Sequence, residues 1–167
     1  MLLQYEREQV AQYARKALTR GLTRGTGGNF SILNRQAGLF AITPSGVEYE
    51  TMQSADVVVL DLEGKTADGA LRPSSEVEMH RLCYAARKDV NAVVHTHSTF
   101  ATTLACMGRE IESAHYLVGW GGTRVKLAPY RRFGTRELAE AAVETMGSDN
   151  AVLLANHGLL CAGCDMA

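Results

Sequence analysis

Between Gln4 and Arg20, Val10, Tyr13, Ala14, Ala17 and Leu18 recur near helical spacing, which predicts an amphipathic helix over 4–20 that Gly21 stops. The pattern then shortens. A Gly-rich loop, Thr23 to Gly28, leads into a strand candidate over 29–33, and Gln36-Ala37-Gly38 turns the chain into a second over 39–43. Residues 57–62, Val-Val-Val-Leu-Asp-Leu, predict a third strand, and Glu63-Gly64 supplies another turn. After Pro73, Met79, Leu82, Cys83 and Ala86 line one helical face, and Ser75 with Glu78 has the spacing of a capping box. Further on, strands are expected over 92–97 and near 125–127, and a short helix over 99–107. A helix from the cap Thr135 to Met146 is closed by Gly147. The last two strands, 151–155 and 159–162, are joined through Asn156-His157-Gly158. A strand meander followed by strands interspersed with helices predicts an α/β fold with a mainly antiparallel sheet.

Composition narrows the class. The chain has 167 residues, 46% hydrophobic and 21% charged, which suits one substantial core. Seventeen basic against 18 acidic residues leave a net charge of -1, an argument against a nucleic-acid partner. No apolar run approaches a membrane span and no signal peptide is evident, so a cytoplasmic protein is expected. Cys83 and Cys106 fall in apolar patterns. Cys161 and Cys164 form a single C-x-x-C beside a turn residue, Gly163, and all four thiols are expected to be free.

The chemistry concentrates in a few positions. His95 and His97 are two apart in a predicted strand, so their imidazoles emerge on one face and can converge on one ion. Two histidines at this spacing equally occur without a metal. His157 is the candidate third ligand, because its tight turn between apolar strands would otherwise favour a packing residue. Three neutral imidazoles leave a tetrahedral divalent ion with one open position, the layout of a catalytic site. His80 falls near the polar side of its helix, where a structural or solvated role is expected. Glu76 lies in the first turn of that helix, where the macrodipole alone would favour it; with Glu78 assigned to the cap, it is also free to act as an acid/base. Ser74 and Ser75 at the same helix start, with the Gly27-Gly28-Asn29 and Ser45-Gly46 turns, could bind an anion such as a phosphate monoester.

Gly-Asn-Phe-Ser (28–31), Thr-Pro-Ser-Gly (43–46), Pro-Ser-Ser-Glu (73–76), Val-Val-His-Thr-His (93–97), Ala-Pro-Tyr (128–130), Phe-Gly-Thr-Arg-Glu-Leu (133–138) and Asn-His-Gly-Leu (156–159) occur in order along nearly the whole chain. Together they resemble the class II aldolase/adducin family and, within it, the branch that cleaves L-fuculose 1-phosphate. The resemblance implies a three-layer α/β/α sandwich and a homotetramer with active sites at subunit interfaces. It implies one zinc ion per subunit, or another divalent ion, on His95, His97 and His157, with Glu76 as acid/base. Gly28, Asn29, Ser45, Gly46, Ser74 and Ser75 match phosphate-binding positions, and Tyr116 matches a tyrosine that transfers a proton across the interface. The implied reaction is retro-aldol cleavage of a ketose 1-phosphate to dihydroxyacetone phosphate and a small aldehyde such as lactaldehyde. Family members continue past the Asn-His-Gly turn through a helix and a tail, so 1–167 reads as one such domain shortened at its C-terminus. The rivals are a dehydratase or 4-epimerase of the same family, a non-catalytic adducin-like binding module, and a metal-dependent hydrolase.

Overall fold

The computed structural model describes residues 1–166. The elements are α1 (Gln4–Thr19), β1 (Asn29–Asn34), β2 (Leu39–Ile42), β3 (Val58–Asp61), β4 (Thr66–Asp68), α2 (Val77–Ala86), β5 (Ala92–Thr96), α3 (Thr99–Cys106), a 3-10 turn (Tyr116–Trp120), β6 (Lys126–Ala128), α4 (Arg136–Met146), β7 (Ala151–Leu154) and β8 (Gly158–Gly163). The strands form one eight-stranded sheet ordered β4-β3-β2-β1-β5-β8-β7-β6, antiparallel except for the β6–β7 pair.

Alternation along the strands builds three layers. Leu33, Phe40, Val58, Leu60, Val93 and Leu154 face one way, into a core completed by Met79 and Cys83 of α2 and by Leu138, Ala142 and Met146 of α4. Phe30, Ala41 and Val59 face the other way and pack on Val10, Ala14 and Ala17 of α1. On that same side Leu153 packs on Ala101 and Ala105 of α3. The expected α/β sandwich with a mainly antiparallel sheet is what the chain adopts.

Several local expectations change. Thr135 caps α4 as expected, its side chain accepting from the Leu138 amide at 3.3 Å, and Gly147 ends the helix with a positive φ of 60°. The capping box before α2 does not form. Glu76 itself occupies the N-cap position without a side-chain cap, the Ser74 hydroxyl accepts from the Glu76 amide at 3.2 Å, and Glu78 pairs with Arg81 at 2.7 Å. β5 ends at Thr96, so His97 lies just beyond the strand. Cys106 is exposed rather than packed in the core, and all four cysteines are free. No described helix is long and apolar enough to cross a membrane.

Candidate metal centre and substrate cavity

Three strand ends, those of the central strands β1, β5 and β8, meet the start of α2 at one end of the sheet. The register of β1 on β5 sets Asn29 opposite His95, and that of β5 on β8 sets Thr96 opposite Leu159, just past the turn bearing His157. Asn156 in that turn adopts φ 55°, a left-handed conformation that asparagine tolerates. Two glycines make the convergence possible. A Cβ on Gly28 (φ 76°) would strike the His95 carbonyl oxygen, and one on Gly158 would sit 2.5 Å from the Thr96 carbonyl and 3.0 Å from the His97 ring.

His95, His97, His157 and Glu76 each direct one donor atom inward, all within 4.8 Å of one another. The Nε2 atoms of His95 and His97 are 2.9 Å apart. Glu76 Oε2 is 3.4 Å from His95 Nε2, and Oε1 is 3.3 Å from His157 Nε2. His95 Nδ1 lies 3.0 Å from the Leu159 carbonyl, an acceptor, so Nδ1 carries the proton and Nε2 keeps a lone pair directed inward. Burial, reinforced by His157 and His97, holds His95 well below the usual histidine range; burial and His157 also lower His97. Burial raises the Glu76 carboxyl, against the pull of His157 and the Asn29 amide. Glu76 Oε1 and His157 Nδ1 are buried with no hydrogen-bond partner. Neutral imidazoles beside a carboxylate oxygen with spare lone pairs are the donor chemistry of a divalent transition ion, and this set fits one.

Glu76, His97 and His157 of the cluster line a cavity of about 530 Å³, while His95 is fully buried and does not reach its wall. Gly28, Asn29, Ser45, Gly46, Ser74, Ser75, Glu76, His97 and His157 all contribute to its wall. Asn29 is 2% exposed, and its side-chain amide is engaged by Glu76 and His80. Tyr116 lies outside the cavity on the 3-10 turn, 81% exposed. His80, read as near a polar face, is fully buried. Tyr130, Arg131, Phe133 and Asn156 also line the cavity and had been given no role. Tyr130, Phe133 and Asn156 belong to motifs that carry the family resemblance, and Tyr130 and Phe133 stand out as two aromatics in an otherwise polar loop.

Residues 8–167 match the model of the class II aldolase and adducin N-terminal domain. The chain is 52% identical over 160 residues to a 5-deoxy-D-ribulose 1-phosphate aldolase of Bacillus thuringiensis serovar kurstaki, covering 96% of this chain and 75% of that protein. It is 41% identical over 141 residues to the L-fuculose phosphate aldolase of Escherichia coli K12, covering 84% of this chain and 64% of that one. A solved L-fuculose 1-phosphate aldolase superposes with a TM-score of 0.94 at 40% identity, over 96% of this chain and 76% of the other.

Proposed function

Because the chain belongs to the class II aldolase and adducin N-terminal domain family, we propose that it cleaves a deoxyketose 1-phosphate, reversibly and with a divalent ion, into dihydroxyacetone phosphate and a short aldehyde. Two substrates follow from its relatives. 5-Deoxy-D-ribulose 1-phosphate would yield acetaldehyde as the second product, and L-fuculose 1-phosphate would yield lactaldehyde. The observation that carries this reading is the convergence of three imidazole nitrogens and one carboxylate, with Glu76, His97 and His157 opening onto a cavity walled by serines and glycines.

His95, His97 and His157 hold the ion, zinc by preference for three imidazoles. A divalent ion bound there supplies Lewis acidity to the ketose carbonyl and its neighbouring hydroxyl. Ser45, Ser74 and Ser75, with the Gly28 and Gly46 turns, receive the phosphate. Asn29 serves through Glu76 rather than by direct contact. When the C3–C4 bond breaks, the electron pair stays on C3, and the C4 hydroxyl becomes the aldehyde carbonyl, its proton passing to Tyr116 of a neighbouring copy. Glu76 then delivers a proton to C3, and removes it again in the condensation direction. Its Oε2 is held by Asn29 at 3.0 Å and lies 3.4 Å from His95 Nε2, whereas Oε1 has no hydrogen-bond partner and lies 3.3 Å from His157 Nε2. Tyr116, exposed and outside the cavity, acts on the site of a neighbouring copy in a homotetramer.

A coupled assay for dihydroxyacetone phosphate, run on both ketose phosphates with and without zinc, tests this. Zinc-dependent release that His95→Ala abolishes is the expected result. A zinc-loaded protein that releases dihydroxyacetone phosphate from neither compound overturns the reading.

A further inference from the structure

A row of polar side chains runs through the otherwise apolar contact between α2 and β1. Glu76, His80 and Tyr84 recur at every fourth residue, the spacing that stacks side chains on one helical face. Asn29 and Ser31 share the face of β1 that opposes it. Their surroundings are hydrocarbon and thiol: Leu33, Met79, Cys83 and Val93. The row is continuous. Asn29 Nδ2 donates to Glu76 Oε2 at 3.0 Å, and Asn29 Oδ1 is 2.5 Å from His80 Nε2. His80 Nδ1 is 2.6 Å from Ser31 Oγ, which is 2.5 Å from the Tyr84 hydroxyl. Ser31 and His80 are fully buried, Tyr84 is 1% exposed and Asn29 2%.

Burying this many polar groups is unfavourable unless each is satisfied, and one assignment satisfies every side-chain link from Glu76 Oε2 to Tyr84, leaving only Glu76 Oε1 without a partner. An ionised carboxylate only accepts, so Asn29 turns its NH₂ to Glu76 and its carbonyl to His80. His80 must then donate from Nε2, which leaves Nδ1 to accept the Ser31 hydroxyl proton. The Ser31 oxygen accepts in turn from Tyr84. Burial supports the neutral ring, pushing His80 down to about 3. The row ends in the core at Tyr84, so it does not carry protons to solvent. What it does is remove the freedom of the Asn29 amide to flip.

We propose that His80, backed by Ser31 and Tyr84, is a positioning residue for the aldol step: it locks the Asn29 amide, which pins Glu76 Oε2 and leaves Oε1 as the oxygen that exchanges a proton with substrate. This rests on Glu76 being the acid/base of the proposed reaction. No member of the row below Asn29 touches the cavity, so the effect passes entirely through Glu76.

Two measurements test it. Nitrogen-15 shifts of the His80 ring in the metal-free protein report the tautomer, and the neutral Nε2–H form is expected; the Nδ1–H form overturns the assignment. The second is a double-mutant cycle in the whole chain, followed through dihydroxyacetone phosphate release. His80→Phe should lower kcat about tenfold or more, and Tyr84→Phe about two- to fivefold, with KM and bound zinc nearly unchanged. In a Glu76→Gln background the same substitutions should cost nothing further. An equal fold-loss in both backgrounds would mean that the row only supports the fold. Tyr84→Phe keeps the packing of the ring and carries the test alone if His80→Phe does not fold. A zinc-binding wild type that cleaves no ketose phosphate defeats the proposed reaction instead, and the tautomer measurement still decides whether the row is ordered as described.

Discussion

His95 Nε2 and His97 Nε2 lie 2.9 Å apart, and the other nitrogen of His95 is engaged by the Leu159 carbonyl at 3.0 Å. Two ring nitrogens so close are held together by something positive between them, a proton or a metal ion. Zinc at a hundredfold excess over its dissociation constant should add about 2.7 kcal/mol to stability. For a chain of this size that is a rise in Tm of about 5–10 °C. Differential scanning calorimetry with zinc and with a chelator measures it, and a Tm unmoved by either would count against the metal site.

Glu76→Gln keeps the shape and the Asn29 contact but removes the proposed acid/base. Metal content should stay near that of the wild type, while kcat falls about a hundredfold to ten-thousandfold. Elemental analysis beside the coupled assay checks both. A variant that retains wild-type turnover would remove Glu76 from the chemistry.

Gly158→Ala puts a methyl 2.5 Å from the Thr96 carbonyl and 3.0 Å from the His97 ring. Backbone cannot give way as a side chain can, so the β8 turn must shift and carry His157 with it. Zinc affinity should drop about tenfold or more, as such displacements do at metal sites. Titration calorimetry with zinc reads this directly.

His80 gives a signed pH dependence. Its folded-state value lies near about 3, against about 6.5 in an unfolded chain. Between those values the unfolded state binds a proton that the folded state refuses. This contribution to stability is therefore complete above pH 6.5 and is lost as the pH falls, by up to about 1.4 kcal/mol per unit. Other histidines add to the slope, so the quantity to read is the difference between wild type and His80→Gln in urea unfolding at pH 7.5, 6.5, 5.5 and 4.5. Parallel curves would show that His80 does not titrate differently in the two states.

Thr135→Ala removes the side-chain acceptor that caps α4. A loss of about 1 kcal/mol is expected, visible as a lower urea midpoint with unchanged slope.

The helices with clear stop and start chemistry were legible in the sequence: α1 before Gly21, and α4 between Thr135 and Gly147. So were the long apolar strands and the three histidines that the fold gathers. β4 was not, because Thr66-Ala67-Asp68 is short, mostly exposed and without apolar alternation. The 3-10 turn escaped for the opposite reason: Tyr116, Leu117 and Trp120 look like core residues, yet all three are exposed. Ser75 and Glu78 had capping-box spacing, but spacing does not reveal that Arg81 competes for Glu78 or that Glu76 takes the N-cap. His80 was read as facing outward because helical periodicity counts a polar residue as solvated. Only the sheet packed against α2 shows that Asn29 and Ser31 wait for it inside.

The pairing of Asn29 with His95 and of Ser31 with Val93 therefore does more than build a site. If β1 slipped by one residue, Asn29 and Ser31 would turn toward α1, and Phe30 and Ile32 would face Glu76, His80 and Tyr84. Each of those polar groups would be stranded in hydrocarbon at about 1–3 kcal/mol. The residues hydrogen-bonded in a row to Glu76 thus also proofread the sheet. A chain that has paired its strands wrongly is rejected on stability before it can present a misassembled site to substrate.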